Sequence, residues 1–264
     1  MTFNPLSKNL IGMVHVRALS GTPRFGNNFE EVIATAIAEA KQLETAGFTA
    51  LILENMHDVP YLRGAVGPEI TACMAAVAEE IKQAISLPVG VQILAGANLE
   101  ALSVAHSVQA DFIRVEGFVF SHIADEGYIE ACAGELLRLR KELGAENIKI
   151  FADIKKKHSS HSITSDISIA ETAHAAEFFG ADGVILTGTS TGTAASPEEL
   201  ASVRKVTKLP IWIGSGITPN NIVDFKSADG WIVGSYLKKE GIWLNALCEK
   251  ALPQIVNSYH HISK

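Results

Sequence analysis

The sequence is poor in several residue types that mark whole classes of protein. It has only 3 Cys and 9 Pro in 264 residues, which excludes a disulfide-stabilised scaffold and a proline-rich disordered chain. No apolar run approaches the roughly 20 residues of a membrane-spanning helix, and no signal-peptide pattern opens the chain. We therefore expect a cytoplasmic protein with reduced cysteines and no membrane span.

Positive charge is also scarce. The 22 Lys and Arg residues stand against 29 Asp and Glu, which gives a formal net charge of −7. Because proteins that bind nucleic acid usually present a basic surface, we expect no nucleic-acid partner. Any anionic ligand must then be held by a local arrangement of groups.

Short β-rich runs alternate with helical segments along the whole chain. The predicted strands, first to eighth, are residues 10–16, 50–54, 89–94, 112–116, 148–154, 183–187, 211–214 and 230–233. The predicted helices are residues 29–46, 68–86, 98–107, 124–143, 167–179, 196–205, 219–225 and 240–251. This alternation is typical of a parallel sheet with helical crossovers.

Eight such units are what a closed barrel needs. The alternative is an open doubly wound sheet, but no G-x-G-x-x-G motif follows an early strand. The clearest glycine turns follow the seventh and eighth strands instead, which favours the barrel. We predict an α/β protein with a single (β/α)8 TIM-barrel domain over residues 1–264.

The two late glycine turns predict a phosphate site. Gly214, Ser215 and Gly216 follow the seventh strand, and Gly234 and Ser235 follow the eighth. Glycine lets backbone N–H groups close around an anion, and many TIM barrels hold a substrate phosphate at this place. The alternative is a pair of tight surface turns.

Polar residues at the C-terminal ends of the strands are the other candidates, because TIM-barrel substrates lie over those ends. The candidates for substrate binding are Asn55, Gln92, Arg114 and Thr187, and those for catalysis are His15, Glu54, Glu116, Asp153, Lys155 and Lys157. His15 is a candidate general acid or base, with a hydrogen-bonded structural histidine as the alternative.

The end of the fifth strand combines acid and amine groups. A period of two places Asp153 and Lys155 on one face, so we expect them side by side in the barrel mouth. A solvated basic loop is the alternative, and it suits Lys156 and Lys157 better than Lys155. We expect Asp153→Asn to abolish turnover with little effect on thermal stability.

Glu54, Glu116 and Asp153 come from three strands and can converge. Near a phosphate they are a possible site for Mg²⁺ or another divalent metal, and ion pairs with Arg114, Lys155 and Arg63 are the alternative. No P-loop pattern occurs, so no nucleotide cofactor is expected. After the sixth strand, a hydroxyl-rich loop with Thr189, Ser190 and Thr191 is a candidate sugar-binding segment or lid.

Several short motifs together resemble the BtpA/SgcQ family along nearly the whole chain. They are IGMVHV (11–16), LSGTP (19–23), EN (54–55), DVPY (58–61), FIRV (112–115), AD (152–153), KH (157–158), TG (187–188 and 191–192), GSG (214–216) and IVGS (232–235). The resemblance implies a TIM-type barrel of the phosphate-binding kind. It also implies two different roles, since the cyanobacterial namesake is associated with photosystem I biogenesis and the SgcQ branch resembles a sugar-phosphate pathway protein.

Two functions follow from these observations. The first is an enzyme that acts on a small phosphorylated, sugar-derived metabolite by proton transfer, isomerisation or aldol-type cleavage. The second is a non-catalytic assembly or regulatory factor that retains a ligand-binding barrel. The alanine-rich residues 71–78 suit a homo-oligomer contact as well as packing within one chain.

Overall fold

The computed structural model describes residues 3–188 and 192–263, so Thr189, Ser190 and Thr191 of the hydroxyl-rich loop lie outside the described residues. The barrel strands are β1 (Asn9–His15), β2 (Ala50–Glu54), β3 (Val89–Gln92), β4 (Phe112–Val115), β5 (Lys149–Ile154), β6 (Gly183–Leu186), β7 (Ile211–Ile213) and β8 (Gly230–Val233). All are parallel, each pairs with its neighbours in sequence, and β8 pairs with β1. The predicted TIM-barrel fold is therefore confirmed.

Aromatic rings fill the interior of the barrel near the N-terminal ends of its strands. Phe151 stacks on Trp212 at 3.5 Å between ring centroids, and Phe112 meets both rings edge to face. Phe3, from the N-terminal segment, stacks on Phe112 and packs against the same cluster. The interior at this level is therefore a packed core and not a channel.

Glycines on neighbouring strands make room for these rings. Gly90, Gly183 and Gly230 are the direct cross-strand partners of Phe112, Phe151 and Trp212, respectively. A Cβ atom on any of the three glycines would overlap the ring of its partner. Each large ring thus lies beside a glycine, which has no side chain.

Seven α-helices surround the barrel within the described ranges: α1 (Phe29–Ala46), α2 (Pro68–Ala84), α3 (Asn98–Ser107), α4 (Ala133–Glu142), α5 (Ile169–Phe178), α6 (Pro197–Arg204) and α7 (Ala251–Ile262). Capping residues explain where several of these helices begin or end. Asn28 caps α1 through the Glu31 amide, Gly47 ends it at a φ of 101°, and Ser196 opens α6 with a capping box. No helix in these ranges is long and apolar enough to cross a membrane.

The predicted helix over residues 124–143 is wrong in its first half. His122–Ala124 and Gly127–Ile129 form an antiparallel hairpin, and Ser159–Ser160 adds a third strand. The short turn needs Gly127 at a φ of 113°, which a helix excludes, so α4 begins only at Ala133. We call residues 122–129 the mouth hairpin.

Two further helix predictions fail near the C-terminus. Over residues 219–225 only a 3-10 turn forms, because the Asn221 side chain bonds the backbone of Gly216 and Thr218 and so competes with a helix. Over residues 240–251, Glu240 and Gly241 have φ near 60° and 68°, which α-helix geometry excludes. The last helix is therefore α7, with Pro253 in its first turn, where the missing N–H costs nothing.

The alanine-rich stretch lies within α2. Met74, Val77 and Ala78 are buried in the main core of this chain, and α2 packs against α1 and α3. These residues are therefore occupied by packing within one chain. A homo-oligomer stays a prediction.

Replacing Gly90 by Ala tests the match between glycines and rings. The new methyl group would overlap Phe112, so we expect the free energy of unfolding in urea to fall by about 1–3 kcal/mol. Gly26→Ala is the control, because nothing lies within 4 Å of its Cβ position. Equal stability of the two variants would contradict the packing argument.

Candidate functional site

One cavity of about 250 Å³ opens at the C-terminal mouth of the barrel. Its wall includes the two glycine turns together with side chains from β1, β2, β4 and the segment after β5. The predicted site residues that line it are His15, Glu54, Arg114, Lys157, Gly214, Ser215, Gly216, Gly234 and Ser235. The structure therefore brings the two turns and four of the ten other predicted polar residues to a single place.

Both turns contain residues that line this cavity and whose backbone amides make no hydrogen bond to the described residues. In the part of the chain that the structure describes, the amides of Ser215, Gly216 and Ser235 make no hydrogen bond. The Gly214 amide differs, since it continues the barrel ladder to the Leu186 carbonyl at 2.7 Å. Free N–H groups in a concave turn are the usual donors to a bound oxyanion.

The Ser215 hydroxyl has a structural task instead. Its Oγ donates to the Thr193 carbonyl and accepts from the Gly188 amide, each at 2.8 Å, which joins the loop after β6 to the turn after β7. Gly216 passes so close to this loop that a Cβ atom would overlap Ala194. The turn therefore contributes main chain, and not the serine side chain, to the cavity.

Arg114 and Asp153 form a buried ion pair across β4 and β5. Nε and Nη2 of Arg114 donate to Oδ1 and Oδ2 of Asp153, both at 2.9 Å, and the Asp153 side chain is 0% exposed. Burial lowers the pKa of Arg114, but the carboxylates of Asp153 and Glu54 outweigh it and raise that pKa above its usual range. Asp153 is therefore the partner of the arginine and does not line the cavity.

Lys157 occupies the place at which Lys155 was expected. Lys157 lines the cavity, and within residues 3–188 and 192–263 its ammonium group has no hydrogen bond or ion pair. Burial lowers the pKa of Lys157 below its usual value, and repulsion from Arg114 lowers it further. The Lys157 amine is therefore available to a ligand in this cavity.

His15 and Glu54 face each other at the ends of β1 and β2. His15 Nε2 lies 3.8 Å from Glu54 Oε2, which is too long for a hydrogen bond. His15 Nδ1 lies 3.4 Å from the Trp243 carbonyl, and because a carbonyl only accepts, Nδ1 carries the proton. The lone pair of Nε2 then faces Glu54.

Burial sets the charge of this pair. It lowers the pKa of His15 to about 3, with a further contribution from Lys238, so the ring is neutral at pH 7. Burial also raises the pKa of Glu54, against the opposing effects of Arg114 and Lys157. The two groups lie side by side in the cavity wall, where both can reach a molecule bound beside them.

The remaining predicted residues lie outside this cavity. Asn55 joins Asp58 to the Leu94 amide, Gln92 donates to Glu116, and the Thr187 hydroxyl accepts from the Lys157 amide. Their observed contacts are structural, and Thr187 acts on the site by positioning the Lys157 backbone.

The predicted pairing of Asp153 with Lys155 is wrong. Lys155 follows the last residue of β5 and has a φ of 51°, which breaks the alternation of a strand. Its ammonium group donates instead to the Thr164 carbonyl at 3.0 Å. The solvated-loop alternative fails as well, because Lys156 is 7% exposed and lies 3.1 Å from Glu116.

The three carboxylates proposed for a metal are separated by cations. Arg114 binds Asp153 and Lys156 pairs with Glu116, as the ion-pair alternative expects, although the cation at Glu116 is not one of those named. Among the described residues, no three His, Cys, Asp or Glu side chains lie close enough together to hold a metal ion. These residues do not fit a preformed divalent site.

The sequence offered no sign of several residues at the mouth. Met56 and Tyr236 line the cavity, and Trp243 fixes the orientation of His15 from a segment that was predicted to be helical. Apolar residues in loops carry no local pattern, so only the folded topology reveals their place.

Comparison with known proteins places the chain in a family. A profile of the BtpA family matches residues 6–261. The chain belongs to the BtpA family. Relatives include an uncharacterised mitochondrial protein of Caenorhabditis elegans, 50% identical over 90% of this chain and 88% of its own length. The photosystem I biogenesis protein BtpA of Synechocystis is 36% identical over 91% of this chain and 82% of its own.

Solved structures similar to this BtpA-family chain share its barrel. N-(5′-phosphoribosyl)anthranilate isomerase of Pyrococcus furiosus superposes with a TM-score of 0.59 at 15% identity, covering 96% of this chain and 99% of the isomerase. The Thermotoga maritima isomerase gives 0.57 at 11% identity over the same shares. At these identities the likeness establishes the fold. The cytoplasmic location stays a prediction, since the nematode relative is named as mitochondrial.

Asp153→Asn tests the ion pair of this BtpA-family chain. Because the change leaves Arg114 buried without a counter-charge, we expect the free energy of unfolding to fall by about 3–5 kcal/mol, contrary to the neutral effect predicted from sequence. Urea unfolding measures this loss. Glu146→Gln, which breaks the exposed pair with Lys141, is the control and should leave stability unchanged.

His15 makes stability depend on pH. Its pKa is about 3 when folded and about 6.5 when unfolded, so between these values only the unfolded chain binds the proton. Stability is therefore full above pH 6.5 and falls as the solution is acidified, by about 2 kcal/mol between pH 7 and pH 5.

We expect the His15→Gln variant to lack this loss of stability between pH 7 and pH 5, as measured by urea unfolding at both pH values. The other buried histidines remain in the variant, so the comparison with the wild type isolates His15. His260→Gln, on the exposed face of α7, serves as the control. The same acid sensitivity in His15→Gln and in the wild type would disprove the burial argument.

Proposed function

We propose that the protein is an enzyme that acts on a small phosphorylated, sugar-derived metabolite. The phosphate binds at the turns after β7 and β8, and the reacting part lies against His15, Glu54 and Lys157. One observation carries the proposal: the same cavity is lined by both turns, whose amides include three that make no hydrogen bond to the described residues, and by a lysine with no ion pair among them. Neutral ligands would leave this lysine uncompensated.

Charge in the cavity favours an anion. Asp153 neutralises Arg114 but not Lys157, so the lysine and the amides attract a negative group. A phosphate suits several N–H donors around one concave turn. The two structural neighbours are named for a phosphoribosyl substrate, which agrees with this class by analogy of fold.

The reaction class follows from the neighbouring groups. Burial raises the pKa of Glu54, so this carboxyl is suited to exchange a proton with the substrate, while neutral His15 offers its Nε2 lone pair as a hydrogen-bond acceptor. A carboxyl group and a neutral imidazole side by side on adjacent strands support proton transfer, as in an isomerisation, or aldol-type cleavage. Lys157 stabilises the negative charge that develops on the substrate oxygen.

Thermal-shift measurements with and without a phosphate group test the proposal. We expect pentose 5-phosphates to raise the melting temperature and the parent pentoses to have no effect. Lys157→Met should remove most of the shift, whereas Lys155→Met, which alters a lysine bonded to Thr164, should retain it. The same measurements with and without Mg²⁺ show whether the ion binds together with the sugar phosphate.

Equal shifts in the two lysine variants would refute the assigned phosphate site. Compounds that stabilise the wild type are then incubated with it, and the products are analysed by mass spectrometry or NMR. His15→Gln and Glu54→Gln should bind the ligand and form no product.

A non-catalytic assembly factor is the second candidate. It is favoured by the name of the Synechocystis relative, which refers to photosystem I biogenesis. This function predicts ligand binding without any product from the wild-type protein. Product formation that depends on His15 or Glu54 decides for the enzyme.

A further inference from the structure

A second chamber of about 210 Å³ adjoins the phosphate cavity. Glu54, Met56 and Lys157 line both spaces and so form the junction between them. The far wall of the second chamber includes Tyr61, Leu94, Glu116, Glu126, Lys156 and Trp243. A molecule anchored at the two glycine turns therefore has room to extend past the junction.

Buried acceptor oxygens in this region lack hydrogen bonds. Oε2 of Glu116, Oε2 of Glu126 and Oε1 of Gln92 are buried, and no donor among the described residues makes a well-directed hydrogen bond to them. The Lys156 ammonium lies 3.1 Å from Glu116 Oε2 and 3.8 Å from Glu126 Oε2, which supplies charge without a well-directed hydrogen bond. Buried acceptors of this kind are costly unless a donor reaches them.

The second chamber presents both carboxylates and amines to a ligand. Its acidic groups are Glu54, Glu116, Asp125 and Glu126, and its basic groups are Lys156, Lys157 and His158. A ligand ammonium group would meet repulsion from two lysines, whereas a hydroxyl group donates to a carboxylate and accepts from an ammonium. Hydroxyl groups therefore satisfy both kinds of partner.

The apolar wall suits the same class of ligand. Tyr61 and Trp243 place aromatic rings beside Leu94, and the Tyr61 hydroxyl is already used on the Met56 carbonyl at 2.7 Å. Binding sites commonly combine such apolar walls with a few polar groups that fix the ligand. A ring or chain with hydroxyl groups along one edge presents its C–H groups to this wall.

We propose that the substrate spans both chambers, with its phosphate at the glycine turns and hydroxyl groups bonded to Glu116 and Glu126. This inference rests on the proposed function and adds the chemistry of the other end of the substrate. Glu126, on the mouth hairpin, selects polyhydroxylated phosphates over short ones. The reacting carbon then lies at the junction, between Lys157 and Glu54.

Binding of three ligands to the full-length protein tests the inference by calorimetry. The probes are inorganic phosphate, glycerol 3-phosphate and ribose 5-phosphate, which share the anion and differ in hydroxyl groups. We expect the wild type to bind ribose 5-phosphate at least about tenfold more tightly than glycerol 3-phosphate. Glu126→Gln should remove most of this preference and leave the Kd of inorganic phosphate within about twofold.

Glu130→Gln is the matched control, because Glu130 follows the same hairpin and does not line the second chamber. As a test that needs no variant, 2-deoxyribose 5-phosphate should bind the wild type more weakly than ribose 5-phosphate. If the wild type binds phosphate but the Glu126→Gln variant prefers ribose 5-phosphate to glycerol 3-phosphate as strongly as the wild type does, this inference is wrong and the proposed function stands. If no phosphate compound binds the wild type, the proposed function fails, and this inference with it.

Discussion

The hydrogen-bonded ladder between the first and last strands is the constraint on which the site depends. Pairing of β8 with β1 closes the barrel and sets Gly234 beside His15, where a Cβ atom would lie 3.4 Å from Nε2. Residues more than 200 positions apart in sequence thus become walls of one cavity. An open sheet with the same strands would leave the glycine turns and the histidine at opposite edges.

The cations at the mouth of the barrel differ in whether they pair with a carboxylate, and the fold explains the difference. Arg114 is matched by Asp153 and Lys156 by Glu116, so each of these cations is committed inside the protein. Lys157 is placed differently. The Thr187 hydroxyl accepts a hydrogen bond from its backbone amide, and the chain changes direction two residues earlier, at Lys155. Lys157 therefore lines the cavity together with the glycine turns, and no ion pair joins it to the other described residues.

Much of the fold could be predicted because a strand and its glycine turn are local patterns. The eight barrel strands and the place of Gly214 and Gly234 followed from periodicity and topology. The orientation of Lys155 could not, since one residue with a positive φ reverses the alternation without a signal in composition. Glu126 was also hidden, because a three-residue strand beside a glycine turn resembles the start of the helix that follows it.

The rings and glycines in the lower barrel have a consequence for how such a sequence diverges. Each aromatic side chain occupies the volume left by the glycine beside it on the adjacent strand. Neither residue of a pair can be replaced by a larger one on its own. Larger residues therefore appear at these positions only when both members of the pair change together. These pairs lie below the cavity, so substitutions among the side chains that line the cavity can change ligand preference while the packing beneath them is inherited intact.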